Sequence, residues 1–403
     1  MRGLVLEGGG AKGSYHVGAI KALYENGYKF DGVTGTSIGA INAAMVAQGD
    51  IDLCYHLWSN ALTSKIMDID DEEVENLLKM RIKFSTVKYF YKLIGKALKE
   101  RGISTKRIEQ LMHTYIDEDK IRNSNMDFGL VTVSLTDRFQ PVEVFAEEIP
   151  AGMMHDYILA SAFYPAFQGR LINGKRYIDG GLYDNLPINP LIRRGYKEIV
   201  AIRTKRSNLT IKKPMDSTVK VHYIQPSEPL GGTLVFSNER IMKNIKMGYY
   251  DALRFIHNYS GRYYYIRSLD NSLFTQKALS LPEGLYKETA AAMSWNYTSK
   301  RDTLDKILEH LNRKVKRRNG ELNYAQKLLV ILEEVARQYK IERFKVYSLT
   351  EFALAIKKEF EKDGGSGINA GKQLNAGLMK SGLPELLKIF FKYIEDNENE
   401  RVS

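Results

Sequence analysis

The sequence predicts an α/β protein in which a mainly parallel sheet is covered by helices on both faces and is followed by a helical C-terminal region. Short apolar runs of strand length alternate with helical patterns from the N-terminus onward, as in parallel strands joined by helices. Strand signals fade beyond Leu281, and the remaining chain has mainly helical periodicity. We therefore expect an α/β domain over residues 1–285 and a helical region over residues 286–403, which would bind a regulator, a partner or a membrane.

The composition is that of a globular protein without disulfide support. Of the 403 residues, 44% are hydrophobic and 27% are charged, which are ordinary proportions for a soluble domain. Cys54 is the only cysteine, so an intrachain disulfide and a cysteine-based metal site are both excluded. No apolar run reaches the ~18 residues that span a bilayer, and Glu7 interrupts the first apolar residues. We expect a cytoplasmic location and no export signal.

The net charge of +11 favours anionic partners such as a nucleotide, a nucleic acid or an anionic membrane surface. The strongest local signal is an insertion at about residues 74–102. Between residues 79 and 101, apolar residues fall on one side of a helical pattern, and lysines and an arginine supply positive charge. Such a helix can lie on a membrane or cover a site, and it can equally pack as an ordinary helix with solvated lysines. We expect peripheral association with an anionic membrane, and the sequence leaves an oligomer open.

The first apolar run, at residues 3–6, leads directly into a glycine-rich loop that is followed by a helical pattern. Gly8, Gly10 and Gly13 satisfy the pattern G-x-G-x-x-G. Asp31 lies about 20 residues further on, where a dinucleotide-binding fold places its ribose carboxylate. A dinucleotide-binding oxidoreductase is therefore one hypothesis for this chain.

A second strand, near residues 30–34, runs into a G-x-S-x-G pentad that contains Gly35, Ser37 and Gly39. Mostly small and apolar residues follow in a helical pattern. This is typical of a nucleophile elbow, in which glycines permit a sharp turn and leave the serine hydroxyl exposed near the positive end of the next helix. The pentad alone is equally consistent with an ordinary glycine-rich turn.

The two glycine motifs are best explained together. In a dinucleotide site the second strand ends in its acidic residue, whereas Asp31 precedes the apolar residues of this strand. A serine hydrolase needs backbone N–H groups near its nucleophile to hold the oxyanion of a tetrahedral intermediate. Three consecutive glycines at the end of the neighbouring strand can supply them. We therefore favour a hydrolase with Ser37 as its nucleophile.

Further strand patterns continue the alternation. They lie at residues 128–135, 142–145, 198–203 and 219–224, with a β-hairpin predicted at residues 170–178. Asn173 and Gly174 form the preferred two-residue turn at the centre of that hairpin. The hairpin leads into Asp179, Gly180 and Gly181, where an aspartate beside two glycines can present its carboxylate to a close backbone. A simple Asp-Gly turn is the alternative.

The proton acceptor for Ser37 has two candidate sources. A histidine is the commonest base, and His222, His257 and His310 follow Asp179 in the chain order of an α/β-hydrolase. None of the three has a loop context, because the first alternates within a strand pattern and the others lie in helical patterns. Asp179 can instead accept the proton directly. A carboxyl group with an ordinary pKa of about 3.9 is a weak base, so a dry pocket would have to raise that pKa.

Four sequence blocks closely resemble, in the same order, those of patatin-like phospholipases. They are GGGAKG at residues 8–13, GTSIG at residues 35–39, ASA at residues 160–162 followed by Pro165, and DGG at residues 179–181. One pentad is weak evidence for a family, whereas four ordered blocks are highly specific. The resemblance covers roughly residues 1–230. It implies a three-layer α/β/α fold with a mainly parallel central sheet.

The resemblance also implies a mechanism. Ser37 corresponds to the nucleophile and Asp179 to the base of a Ser–Asp dyad, and the backbone N–H groups around Gly8, Gly9 and Gly10 correspond to the oxyanion hole. The supporting positions are Lys12, Gly35, Gly39, Gly180 and Gly181. The family resemblance implies hydrolysis of fatty-acyl esters of phospholipids or lysophospholipids, without a metal ion, a cofactor or a nucleic-acid substrate. A scaffold of the same fold that has lost its activity is the alternative.

Overall fold

The structure is a computed structural model, and it describes residues 1–60, 106–162, 171–204, 211–233, 236–267, 271–314 and 322–362. The chain forms two compact units, Met1–Ile256 and His257–Ser403. The insertion predicted at about residues 74–102, with its basic helix, lies outside the described residues. None of the described helices combines the length and the hydropathy needed to cross a bilayer.

The first unit contains the main sheet and the helices around it. In chain order its strands are β1 (Arg2–Leu6), β2 (Gly32–Thr36), β3 (Asp127–Ser134), β4 (Gln140–Phe145), β5 (Leu171–Ile172), β6 (Lys175–Asp179), β7 (Glu198–Ile202) and β8 (Lys220–Ile224). Its helices are α1 (Ser14–Glu25), α2 (Ile38–Ala47), α3 (Ile51–Ser59), α4 (Lys106–Tyr115), α5 (Glu118–Arg122), α6 (Met154–Ser161), α7 (Asn189–Arg193) and α8 (Asn238–His257). Each strand predicted in this unit is present close to its expected bounds.

The main sheet is mixed, with a parallel centre. Among the described residues it has eight strands in the order β5-β6-β3-β2-β1-β7-β8, with β4 paired to β3. Strands β1, β2, β3, β7 and β8 run parallel to one another, whereas β4 and β6 run antiparallel to β3. The predicted α/β class with a mainly parallel sheet is confirmed. The strand order reverses at β1, so the loop after β1 lies where open α/β sheets bind ligands.

Strands β2 and β6 meet end to end along one edge of β3. Strand β4 pairs with residues 129–134 along one edge of β3, which leaves the other edge to β2 and β6. Thr36, the last residue of β2, lies opposite Val131, and Asp179, the last residue of β6, lies opposite Thr132. Asp179 therefore occupies the position that residue 37 would take if β2 continued by one residue.

The turn between β5 and β6 follows from its two residues. Asn173 and Gly174 have φ of 48° and 71°, and these residue types tolerate the left-handed region. The two strands pair antiparallel directly on either side of the turn, so the predicted hairpin is confirmed. This turn sets the start of β6 and hence the place where Asp179 lies against β3.

A buried polar cluster joins α1, α2 and α3. The amide nitrogen of Asn42 lies 3.0 Å from the carbonyl oxygen of Gly13 and 3.3 Å from Nδ1 of His16. The amide oxygen of Asn42 accepts the indole N–H of Trp58 at 2.9 Å. Burial lowers the pKa of His16 to about 3, so this histidine is neutral at neutral pH. The cluster fixes α2, the helix that Ser37 precedes.

The second unit is mainly helical. Its helices are α9 (Asn271–Ser280), α10 (Glu283–Ala292), α11 (Lys300–Lys314), α12 (Tyr324–Gln338) and α13 (Leu349–Lys362), and its described part also has the parallel strands β9 (Tyr265–Ile266) and β10 (Val346–Tyr347). Tyr264 and Ile266 pack in the same apolar core as these helices. For this reason the unit begins at His257, earlier than the boundary that the sequence predicts after residue 285.

A buried carboxylate organises the start of the second unit. Oε1 of Glu333, on α12, accepts the backbone N–H groups of Arg262, Tyr263 and Tyr264 at 2.7, 2.8 and 2.8 Å. Hydrogen bonds to a carboxylate are stronger than those to a neutral acceptor. Glu333 therefore holds the segment before β9 against α12, across a long separation in sequence.

Candidate active site

Ser37 lies on a tight turn between β2 and α2. It has φ 58° and ψ −129°, a combination that residues other than glycine rarely adopt. Gly35 and Gly39 permit the turn, because a Cβ on Gly35 would lie 2.2 Å from the Gly39 carbonyl oxygen. A Cβ on Gly39 would lie 2.2 Å from the Leu6 carbonyl oxygen. The strand, sharp turn and helix predicted around the pentad are confirmed.

The hydroxyl group of Ser161 holds the backbone of Ser37. The Ser37 N–H donates to Ser161 Oγ at 2.9 Å, and Ser161 Oγ–H donates to the carbonyl oxygen of Val131 at 2.6 Å. Ser161 is buried at the end of α6. Ser161 therefore links the strained turn to β3. Because Ser161 is the central residue of the ASA block at residues 160–162, this third sequence block has a structural role.

Replacing Ser37 by glycine is expected to stabilise the protein while abolishing any reaction of the serine. A backbone in this region costs about 1–3 kcal/mol for a residue with a Cβ, and the added chain entropy of glycine offsets about 0.5–1 kcal/mol of the relief. Ser37→Ala is the matched control, because it also removes the hydroxyl but keeps the Cβ. We expect the free energy of unfolding of Ser37→Gly to exceed that of Ser37→Ala by about 1 kcal/mol in urea titrations. Equal values would show that no strain is stored at this turn.

Asp179 is 8% exposed and lies where β6 ends. Its Oδ1 accepts the N–H of Gly181 at 2.7 Å, which fixes the orientation of the carboxylate. A Cβ on Gly180 would lie 2.1 Å from the carbonyl oxygen of Val131, and one on Gly181 would lie 2.9 Å from Asp179 Oδ1. Gly180 is therefore required by its close contact with the backbone of β3, and Gly181 lies tightly against the carboxylate of Asp179.

The glycine loop after β1 brings the turn at Ser37 and the loop after Asp179 together. A Cβ on Gly8 would lie 3.2 Å from Ser37 Cβ and 2.3 Å from Asn185 Oδ1. A Cβ on Gly181 would lie 2.6 Å from the same Asn185 Oδ1. The three segments predicted to form a site therefore converge at the carboxyl ends of β1 and β2.

The backbone N–H groups of the glycine loop differ in their partners. Gly8 N–H donates to the carbonyl oxygen of Asn185 at 3.0 Å. Within the part of the chain that the structure describes, the N–H groups of Gly9 and Gly10 donate to no acceptor. Gly10 has φ 57°, and a Cβ there would lie 2.2 Å from the carbonyl oxygen of Thr233. Gly9 and Gly10 thus offer donors to a bound group, whereas the N–H of Gly8 is used within the fold.

Glu7, the last residue before the glycine loop, is a buried carboxylate that joins three loops. Its Oε2 accepts the Thr204 N–H at 2.6 Å, and its Oε1 accepts the Asn185 amide at 3.2 Å. Thr204 Oγ1 in turn donates to the carbonyl oxygen of Gly8 at 2.7 Å. Nε of Arg203 lies 3.7 Å from Glu7 Oε2 and supplies the countercharge that a buried carboxylate requires. Glu7 therefore holds the loops after β1, β6 and β7 together.

Asp184 is a second carboxyl group in the loop after β6. It is fully buried, and burial raises its pKa to about 6. Its Oδ1 accepts the N–H of Leu186 at 3.2 Å, and its backbone carbonyl oxygen accepts the Thr36 hydroxyl at 2.8 Å. Asp184 therefore anchors its own loop to β2.

Two of the alternative site residues lie away from Ser37. His222 is on β8, and β1 and β7 separate β8 from β2, so about 14 Å of sheet lies between them. Asp31 directly precedes β2, whereas Ser37 directly follows it, so the two residues are at opposite ends of the strand. The ribose-binding role considered for Asp31 does not fit this position. His257, the last residue of α8, begins the second unit, and His310 also belongs to that unit.

Sequence reasoning finds no role for Glu7, Asn185 or Thr204. A signal was present for Glu7, because a carboxylate at the end of an otherwise apolar strand is rarely buried without partners. The contacts of Asn185 and Thr204 depend on which strands pair, and no local pattern shows this. Lys12, predicted to support the site, is half-buried in the 3-10 helix Gly10–Gly13.

Sequence comparison relates this chain to lipid hydrolases. A profile of the patatin-like phospholipase family matches residues 4–192. The lysophospholipase NTE1 of Kluyveromyces lactis is 28% identical over 201 residues, which cover 50% of this chain and 12% of that protein. An uncharacterised NTE family protein of Mycobacterium tuberculosis is 42% identical over 62 residues, which cover 15% of this chain and 17% of that protein. The chain thus spans only a small part of the length of these relatives.

Among solved structures, VipD from Legionella pneumophila has a TM-score of 0.40 and 16% sequence identity, with 98% of this chain and 91% of that chain covered. The family profile, in contrast, includes Ser37, the glycine loop and Asp179, which are the segments that converge in the structure. The family resemblance of the four sequence blocks is therefore confirmed, and this chain contains a patatin-like phospholipase domain over residues 4–192.

Proposed function

We propose that this chain hydrolyses fatty-acyl esters of phospholipids or lysophospholipids through a Ser37–Asp179 dyad. The observation that carries the proposal is the meeting of β2 and β6 on β3, which puts Asp179 in the position after Thr36. The turn at Ser37 and the carboxylate of Asp179 then share one end of the sheet. The family of the domain, and the lysophospholipase name of the Kluyveromyces lactis relative, support a lipid substrate.

The proposed reaction has two matching halves. Asp179 accepts the Ser37 Oγ proton while Oγ bonds to the acyl carbonyl carbon. The resulting tetrahedral intermediate collapses, the ester C–O bond breaks, and the leaving alcohol takes the proton from Asp179. Water then loses a proton to Asp179 as it attacks the acyl-enzyme. The fatty acid leaves, and Ser37 regains its proton.

The surroundings of the dyad suit this chemistry. The N–H of Gly181 fixes Oδ1 of Asp179, so the orientation of the base is set before substrate binds. Burial keeps bulk water away from that carboxylate. Ser37 directly precedes α2, whose positive N-terminal end opposes the negative charge that develops on the substrate.

The proposed oxyanion hole uses Gly9 and Gly10. This differs from the sequence expectation for Gly8, because the N–H of Gly8 is donated to Asn185. Gly8 has a separate reason to be glycine, since a Cβ would lie 2.3 Å from Asn185 Oδ1. Two backbone donors are enough to hold one oxyanion, as in other acyl-transfer enzymes.

A fluorophosphonate probe tests the proposal, because it reacts with a serine that is activated as a nucleophile. We expect the wild-type protein to be labelled and Ser37→Ala to remain unlabelled, with the same circular dichroism spectrum for both. Fatty-acid release from diacyl- and lysophosphatidylcholine then distinguishes the two substrate classes. A folded wild-type protein that is not labelled and releases no fatty acid would contradict the proposal and favour an inactive scaffold.

A further inference from the structure

Four strands form a ribbon that projects beyond the candidate site. Strand β3 extends past the end of β2, and β4 and β6 pair with this extension on its two edges, while β5 pairs with β6. Residues 135–139 and 171–176 form the free end of the ribbon, the ribbon tip. Arg176 at the tip precedes Asp179 by three residues, or about 10 Å along β6. The ribbon tip therefore lies at the same end of the sheet as the candidate site and extends further out than the site does.

The two turns of the ribbon tip are bonded to each other. Leu135 N–H donates to the carbonyl oxygen of Arg176 at 2.7 Å, and Arg176 N–H donates to Thr136 Oγ1 at 2.9 Å. Lys175 Nζ lies 2.7 Å from Asp137 Oδ2. These contacts join the two turns into one surface.

Large apolar side chains are exposed at both sides of the ribbon tip. Phe139 is 60% exposed and Leu171 is 57% exposed. Phe139 directly precedes β4 and Leu171 begins β5, and these are the two outer strands of the ribbon. The width of the four strands therefore separates the two residues by roughly 14 Å. Single exposed apolar residues are common, but two on one projecting edge offer apolar area to a common partner.

The backbone of the ribbon tip is strained at its aromatic residue. Arg138 and Phe139 have φ of 58° and 61°, a region that disfavours bulky side chains and suits glycine or asparagine. Phe139 is exposed, so this conformation is not explained by burial in the core. A strained aromatic residue that is largely exposed in a turn supports the hypothesis that its side chain acts at the surface.

Positive charge exceeds negative charge at the ribbon tip. Arg138, Lys175 and Arg176 are all exposed there. Asp137 is the acidic residue of the tip, and it pairs with Lys175. The two arginines therefore leave a net positive charge, which favours an anionic surface as the partner.

We propose that the ribbon tip docks on an anionic lipid bilayer, with Phe139 and Leu171 entering the headgroup region and Arg138 and Arg176 facing lipid phosphates. This inference rests on the proposed function, because it makes the bilayer the source of the acyl ester. Side chains of amphipathic surfaces enter a bilayer by about 5–10 Å. Docking by the tip therefore places the site, about 10 Å behind it, close to the lipid headgroups.

The apolar part of the proposal is tested with Phe139→Asn/Leu171→Thr in the full chain. Asparagine tolerates the backbone of position 139 and threonine suits a strand, so both changes preserve the fold. We expect the partition coefficient onto phosphatidylglycerol vesicles, measured by sedimentation, to fall about 10-fold or more. Met215→Thr is the matched control, because Met215 is 62% exposed and precedes β8, at the opposite edge of the sheet. Partition of the double variant equal to that of the wild type would overturn the proposal.

The charged part is tested with Arg138→Asn/Arg176→Gln. We expect partition onto phosphatidylglycerol vesicles to fall about 10-fold and to lose much of its dependence on NaCl. Lys197→Gln/Lys220→Gln is the control. Lys197 directly precedes β7 and Lys220 begins β8, and these two strands lie towards the opposite edge of the sheet. If the control weakens binding as much as the arginine variant, net charge explains binding and the proposed surface is wrong.

Hydrolysis of a water-soluble short-chain ester separates this inference from the proposed function. We expect all four variants to hydrolyse that ester at the wild-type rate, while the two tip variants release less fatty acid from phosphatidylglycerol vesicles. A wild-type protein that binds vesicles through the tip but does not hydrolyse the soluble ester would contradict the proposed hydrolase function and support the proposed docking surface. If the tip variants release fatty acid from vesicles at the wild-type rate, the proposed docking surface is contradicted while the proposed hydrolase function is not.

Discussion

Asp179→Asn is expected to lower the turnover of acyl esters about 10³-fold while the protein remains folded. Asparagine keeps the shape of the side chain, and its Oδ1 can still accept the N–H of Gly181. It cannot take up the Ser37 proton, so the attack on the ester loses its base. The measurement is kcat for a short-chain ester, with thermal unfolding followed by circular dichroism.

Asp184→Asn is the matched control for that variant. Asp184 is a second buried carboxyl group five residues further along the same loop, and its Oδ1 accepts the Leu186 N–H, which an asparagine oxygen can also do. We expect this variant to retain most of its turnover. The dyad would be contradicted if Asp179→Asn kept full turnover while His222→Ala lost it.

Lowering the pH below about 6.5 is expected to destabilise the first unit because His16 is buried in its neutral form. Burial lowers the pKa of His16 to about 3, below the ordinary value of about 6.5, so the unfolded chain binds a proton that the folded chain rejects between these values. The contribution of His16 to stability is therefore fully present above pH ~6.5 and is lost as the pH falls towards 3. At about 1.4 kcal/mol per pH unit, the loss is roughly 2 kcal/mol between pH 6.5 and 5, and on the order of 5 kcal/mol below pH 3.

Urea titrations of the wild type and of His16→Gln at pH 7 and pH 5 measure this effect. Glutamine does not titrate, and its side-chain oxygen can accept the Asn42 amide in place of His16 Nδ1. Burial raises the pKa of Asp184 to about 6, so Asp184 acts in the opposite direction over this range, but it is present in both proteins and cancels. We expect the wild type to lose about 2 kcal/mol more than the variant. Equal losses would contradict the titration of His16 on unfolding.

Much of the first unit can be predicted because each strand carries its own local signal. The pentad around Ser37 and the Asn173-Gly174 turn set backbone conformations that few other sequences permit. Three of the four blocks contain glycines, and each of these glycines is explained by a Cβ that would come too close to another atom. The two turns depend on residues that are adjacent in the chain, so their conformations can be read from the sequence, whereas most of the atoms that require the other glycines lie far away in sequence.

The position of Asp179 next to the end of β2 cannot be read from the sequence in the same way. It depends on the register of two strands against β3, and register arises from packing across the whole sheet. The contacts of Glu7 and the start of the second unit are hidden for the same reason. In each case the decisive partner is distant in sequence, as Glu333 is from Tyr264.

The end-to-end arrangement of β2 and β6 has a consequence for how the protein is made. A nascent chain that has emerged only as far as β3 contains Ser37 but lacks both Ser161, whose hydroxyl accepts the Ser37 N–H, and Asp179. The proposed pair is complete only after β6 has been synthesised and has closed a long loop onto β3, a contact of the kind that forms late in folding. The proposed hydrolase is therefore expected to stay inactive through the early part of its own synthesis.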